Sequence, residues 1–121
     1  MKIGIMSAAF PTLSFEQVLG FLSANGFGSV EVACWPAGAG KDRKYGGVVH
    51  IDVEALSATR VDEIKGLSQE KGIEISVLGY YANTLHDDPE HRQHVIDHLK
   101  KVIVGAEKLG VGVVGTFTGR P

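Results

Sequence analysis

Ala24-Asn25-Gly26-Phe27-Gly28-Ser29-Val30-Glu31-Val32 is the stretch that decides the fold, because the chain repeats its grammar twice more. Glu70–Leu78 (EKGIEISVL) and Lys108–Thr116 (KLGVGVVGT) have the same order: a helical tail, a glycine, then a β-branched run. A glycine just past a helix supplies the left-handed residue that closes it. In all three copies the strand begins almost at once, whereas the links from strand to next helix are long and polar. Strands that alternate with helices through such short links are parallel, with right-handed crossovers. The expected order is βαβαβαβ.

Outward from these junctions, strands are expected at Lys2–Ala8, Ser29–Trp35, Ile73–Leu78 and Val111–Thr118. Ser14 and Gln17 have capping-box spacing, and Phe15, Val18, Leu19 and Leu22 follow at helical spacing. A second helix carries Val61, Ile64 and Leu67. The third opens on Asp88-Pro89-Glu90: an N-cap, a proline that needs no NH partner, and an acid at the positive helix end. Its apolar face is Val95, Leu99, Val102, Ala106 and Leu109. Ala37–Tyr45 (AGAGKDRKY) is expected to be an exposed loop.

An open doubly wound sheet and a closed barrel share this strand order. Central strands of an open sheet are buried on both faces and read as unbroken apolar runs. Here they alternate. If Val30 and Val32 face helices, Glu31 does not; if Ile73, Ile75 and Val77 do, then Glu74, Ser76 and Leu78 do not. Two glutamates on the side away from the helices suit a polar barrel lumen. The expected fold class is therefore α/β, the N-terminal half of a (β/α)8 TIM barrel, with residues 1–121 as one incomplete domain.

Composition narrows the function classes. A net charge of −2 offers no basic excess for nucleic acid. No run approaches the about 20 apolar residues of a membrane span. The single cysteine, Cys34, cannot pair internally, and Met1–Ile5 lacks a leader-like apolar stretch, so a cytoplasmic location is expected.

Ligands of such folds bind at the carboxyl ends of the strands. Trp35, Tyr80 and Tyr81 fall there and offer an apolar wall for the CH face of a sugar ring. Asn83, Thr116 and Thr118 offer partners for hydroxyls. The competing reading is that the aromatics simply plug the barrel mouth. His91, His94 and His98 lie at i, i+3 and i+7 of the third helix and are expected on the outer ring, away from the mouth, so no metal site is assigned to them. His86 is better placed, beside Asp87 and Asp88, but helix-start chemistry accounts for it. Cys34 has no basic neighbour in sequence to make it a nucleophile. Ala37–Lys41 (AGAGK) is no phosphate loop, since the GxxxxGK[ST] spacing is absent and no helix follows at once. Gly119-Arg120 is a weak anion signal.

Gly79-Tyr80-Tyr81-Ala82-Asn83-Thr84-Leu85-His86-Asp87-Asp88-Pro89-Glu90, the long helix after it, Leu109-Gly110-Val111 and Thr116–Arg120 resemble the sugar phosphate isomerase/epimerase family, the xylose-isomerase-like barrels. Lys2–Met6 and Gly26–Val32 are similar too. The resemblance implies a divalent metal, Mn or Mg, in the full-length enzyme, and proton transfer next to a sugar carbonyl. It also implies that the metal ligands come from strands five to eight, which leaves catalytic and metal residues on this chain unassigned. The related apurinic endonucleases carry histidines at the ends of strands three and four; Val77–Tyr81 and Thr116–Gly119 have none.

The expected contribution of this chain is thus scaffold plus a substrate wall of Trp35, Tyr80, Tyr81, Asn83 and Thr116, inactive alone, with a small-molecule sugar or sugar phosphate as partner. The stop after Gly119-Arg120-Pro121, with no helix to cover Val111 and Val113, reads as truncation. Two other readings remain: a half-barrel that pairs with a second copy, and a small open α/β binding domain.

Overall fold

The computed structural model describes residues 1–38 and 46–120. Most of the expected Ala37–Tyr45 loop, and Pro121, lie outside them. The elements are β1 (Gly4–Met6), α1 (Phe15–Ala24), β2 (Ser29–Ala33), α2 (Ala58–Lys71), β3 (Glu74–Gly79), α3 (Pro89–Leu109) and β4 (Val114–Gly115). All neighbouring strands pair in parallel, in the order β1-β2-β3-β4.

Helix boundaries follow from local chemistry. Ser14 Oγ accepts from the Gln17 amide at 3.2 Å while Gln17 Oε1 accepts from the Ser14 amide at 2.9 Å, a complete capping box. Ser57 caps α2 and Asp88 caps α3, each accepting from an amide of the first turn. Gly72 and Gly110 end α2 and α3 at φ of 66° and 71°, a conformation that side chains with a Cβ rarely take.

One core joins all three helices to one face of the sheet. Val18, Leu19 and Leu22 of α1, Ile64 of α2, and Val95, Val102 and Ala106 of α3 meet Val30, Val32 and Leu78 there. Helix α1 packs on α2, and α2 on α3. Sequential strands with every helix on one side are half of a closed barrel's layering, whereas a doubly wound sheet covers both faces. Among the described residues no helix is long and apolar enough to cross a membrane.

Four expectations need correction. Strand β1 is only three residues, because Ser7–Ala9 turn into a short 3-10 helix. Only Val114–Gly115 of the expected Val111–Thr118 run pairs: β4 has one neighbour, and the rest of the run has no ladder partner among the described residues. Val111 does not stand uncovered but packs on the core, while Val113 is exposed.

The fourth correction concerns facing. Val30 pairs with Ile75, but Glu31 pairs with Val77, so Ser76 is an extra residue on β3. A bulge of this kind shifts every later side chain to the opposite face. Leu78, not Val77, therefore joins the helical core, fully buried beside Val32. Glu31, Val77, Gly79 and Gly115 occupy the inner face. Glu74, upstream of the bulge, keeps its expected side between core-facing Ile73 and Ile75, and at the strand start it pairs with Lys2 Nζ at 2.5 Å, with both side chains exposed.

Candidate functional site

The two consecutive tyrosines after β3 point to opposite sides, and the bulge decides which side each takes. Tyr80 is buried toward α3, where its ring meets Trp35 edge-on at 5.1 Å and His98 at 4.6 Å between centroids. Tyr81 turns inward. Its hydroxyl donates to Glu31 Oε1, and its ring tilts against Phe117 at 5.0 Å. Burial, then the hydrogen bond to Glu31, push the Tyr81 phenol up to about 12, so it stays a donor through the neutral range.

The five expected wall residues therefore fall into separate places. Trp35 and Tyr80 form one aromatic cluster with His98. Trp35 Nε1 is buried with no hydrogen-bond partner among the described residues. Tyr81 and Asn83 line a cavity of about 450 Å³ with Phe117, Thr118, Gly119 and Arg120, on the loops that follow β3 and β4. Asn83 clips those loops together: its Oδ1 accepts from the Arg120 and Leu85 amides at 2.9 and 3.1 Å, and its Nδ2 donates to the Arg120 carbonyl at 2.9 Å. Thr84 adds a bond to the Thr118 carbonyl. Thr116 is exposed and does not line that cavity.

His98, on α3 and expected beside the apolar stripe toward a neighbouring helix or solvent, turns instead toward the sheet. It is buried, and its Nε2 lies 2.8 Å from the Cys34 carbonyl, just past β2. The bond fixes Nε2 as the protonated nitrogen, because a carbonyl only accepts. The signal was available: His98 is three residues after Val95 and four before Val102, on the apolar stripe itself. Beyond it, Glu54 reaches across to Lys101 at 2.6 Å.

A second buried histidine carries no signal of its own in the sequence. His50 Nε2 donates to the Leu13 carbonyl at 2.9 Å, so Nδ1 accepts from Ser7 Oγ at 2.8 Å. Ser7 Oγ in turn accepts from the Ala33 amide at 2.8 Å. This chain of bonds ties the end of β1, the end of β2 and the approach to α1 into one unit beneath the mouth. Desolvation dominates and holds the His50 pKa below its usual value, against smaller opposing effects of the backbone bonds.

His86 serves the start of α3: its Nδ1 accepts from the Asp88 amide at 3.1 Å, and its ring meets His91 edge-on at 4.3 Å. Cys34 is fully buried, and desolvation followed by the charge of Asp52 raises its pKa to about 12, which leaves no thiolate for chemistry. Among the described residues no three His, Cys, Asp or Glu side chains converge as a cation site requires. These residues therefore do not fit the divalent metal that the resemblance implies.

Residues 19–121 match the family described as xylose isomerase-like TIM barrel. No curated protein gives a significant sequence match. Among solved structures, the probable 3-DHS dehydratase of petrobactin synthesis from Bacillus anthracis superposes with a TM-score of 0.64 at 19% identity, over 98% of this chain and 39% of its own. D-psicose 3-epimerase from Clostridium cellulolyticum H10, solved with D-tagatose, gives 0.63 at 18%, over 96% and 37%. A fusion of a xylose isomerase-like TIM barrel with 4-hydroxyphenylpyruvate dioxygenase gives 0.61 at 16%, over 96% and 16%. At these identities the likeness is one of fold, and the chain spans less than two-fifths of each of these longer proteins.

Proposed function

As this chain belongs to the xylose isomerase-like TIM barrel family, we propose that it supplies the first four strands and one wall of the substrate site of a sugar or sugar phosphate isomerase or epimerase. One observation carries the reading. The cavity of about 450 Å³ lies on the loops after β3 and β4, the end of parallel strands where barrels hold ligands. The epimerase and dehydratase among the structural neighbours favour a polyhydroxylated small molecule as substrate. In this reading Tyr81 and Asn83 bound that cavity, Trp35 and Tyr80 stiffen the mouth beside it, and Thr116 stands at its approach. Proton transfer next to the carbonyl, and the Mn or Mg ion that assists it, belong to strands beyond these four.

The test uses the single tryptophan. D-Tagatose titrated into the 121-residue chain should perturb Trp35 fluorescence without being converted to another ketose, with or without manganese. Turnover by this chain alone would overturn the assignment of the chemistry to other strands. Silence of Trp35 and of every cavity amide toward D-tagatose, D-xylose and myo-inositol would overturn the substrate-wall role.

A second reading, association with another copy of the chain, is favoured by the two sheet edges. Among the described residues strands β1 and β4 each have a single neighbour, and Ile3, Val113 and Phe117 beside them are exposed. Two copies related by a twofold axis would pair each edge with the other's. Light scattering that gives a sharp dimer supports this, and a monomer at all concentrations rejects it.

A further inference from the structure

Among the described residues, Glu31 is the acid that the fold carries to the middle of the inner sheet face, and the surroundings are arranged around it. The Ser76 bulge sits directly across from it on β3. Gly79 and Gly115, adjacent on β3 and β4, leave a flat floor over which the Tyr81 ring lies. A Cβ at Gly79 would come within 2.6 Å of Glu31 Oε1 and 2.9 Å of the Tyr81 ring, and one at Gly115 would collide with the Tyr81 hydroxyl. Glu31 also lines a smaller cavity of about 240 Å³ with Gly4, Ile5, Met6 and Ser76. The Glu31–Tyr81 pair thus stands between two cavities, one touched by each partner.

We propose that Glu31 is a ligand-binding residue that accepts a hydrogen bond from a hydroxyl of a polyhydroxylated small molecule, with Tyr81 as the positioning residue that fixes its carboxylate. The proposal deepens the sugar-site reading above and rests on it. Glu31 is half-buried, has no cation within ion-pair distance among the described residues, and receives one side-chain hydrogen bond, from Tyr81 to Oε1. A carboxylate has room for about four donors. A carboxylate removed from water without enough donors costs stability. A polyol is rich in donors and carries no charge to be repelled, so its hydroxyls satisfy Oε2, whereas a phosphate or carboxylate would not approach. The open cavity beside Glu31 provides the space, and Tyr81 keeps Oε1 engaged, which leaves Oε2 for the ligand.

The experiment is amide NMR of the full 121-residue chain titrated with D-tagatose, D-xylose and myo-inositol, compared with Glu31→Gln, Tyr81→Phe and the double variant. Glu31→Gln keeps the shape and the acceptor for Tyr81, and replaces the Oε2 acceptor with a donor. The expected results are shifts at Gly79 and Gly115 in the wild type and binding weakened about tenfold or more by Glu31→Gln, the scale of one hydrogen bond to a charged group. Tyr81→Phe should weaken binding about threefold, and the double variant should lose little beyond Glu31→Gln, because a positioning residue acts only through the group it holds. A polyol that binds equally to wild type and Glu31→Gln, or that shifts the Asn83–Thr118 loops but not Gly79 and Gly115, overturns the role of Glu31 and leaves the sugar-site reading intact. If no polyol of the three binds, both fall. The wild-type shift map separates these outcomes even if a variant fails to fold.

Discussion

Replacing His50 with phenylalanine tests the bond chain beneath the mouth. The ring volume stays; both nitrogens go. Two side-chain hydrogen bonds are lost, to Ser7 and to the Leu13 carbonyl, each worth about 1 kcal/mol. Leu13 is partly exposed, so water replaces the lost donor there. Ser7 is fully buried, so its hydroxyl is left without an acceptor, at a further cost of about 1–3 kcal/mol. The expected loss is about 2–4 kcal/mol, a large share of the about 5–15 kcal/mol that holds a typical domain. In urea the midpoint should fall by about 1–2 M for a slope typical of this size.

The same residue gives the pH dependence a sign. Its folded pKa lies below the ordinary value, so the folded state takes up this proton less readily than the unfolded chain. The stability it contributes is complete above about pH 6.5, the unfolded value, and is lost as pH falls through the lowered folded pKa. Urea unfolding across that window should show wild type losing stability on acidification, while His50→Phe lacks this share of the loss. An unchanged midpoint in the variant, or two parallel pH profiles, would refute the bond chain as the cause.

Cys34 should resist iodoacetamide in the folded chain and react only after unfolding, followed by mass; alkylation at native conditions as fast as in urea would contradict its burial and its pKa of about 12. Leu19→Ala should cost about 2–5 kcal/mol, because the side chain is fully buried in the shared core, whereas Ile103→Ala, half exposed on α3, should stay within about 0.5 kcal/mol; similar unfolding midpoints for the two would contradict the packing. Tyr81 should ionise at about pH 12 by phenolate absorbance, and Glu31→Gln should bring it down. Because that pKa is raised on folding, its stabilising share is present below about pH 10 and fades as pH rises through the folded value, so Tyr81→Phe should flatten the alkaline limb of a thermal melt.

How much of this was legible in sequence depends on how local each cause is. The capping box of Ser14 and Gln17, Asp88-Pro89 and the glycine stops are each set by a few neighbouring residues, and a sequence carries them whole. His98 was legible in part: its place on the stripe is a matter of counting, but its partner, the Cys34 carbonyl, is 64 positions away. His50 has partners 43 and 37 positions away, with nothing in its own neighbourhood to announce them. The overlong fourth strand has a different origin. Val111–Thr118 is β-compatible throughout, yet pairing requires a neighbour, and β3 offers β4 only Leu78 and Gly79.

The bulge at Ser76 shows most clearly why the site was harder to see than the fold. Ile73–Leu78 has no glycine or proline to mark an extra residue, so strict alternation is the natural expectation. Under strict alternation Val77 would face the helices, Leu78 the lumen, and Tyr80 would follow Leu78 inward. The single extra residue reverses all of these. It gives Leu78 to the core, places Gly79 on the inner face beside Gly115, and lays Tyr81 rather than Tyr80 over that floor toward Glu31. It also releases Tyr80 to pack with Trp35 and His98 on the helical side. The fold would survive either register, since each offers an apolar residue to the helices. The polar pair on the inner face would not, because without the shift Glu31 would look across at Ser76, Leu78 would stand on the floor beyond it, and Tyr81 would turn to the helical side.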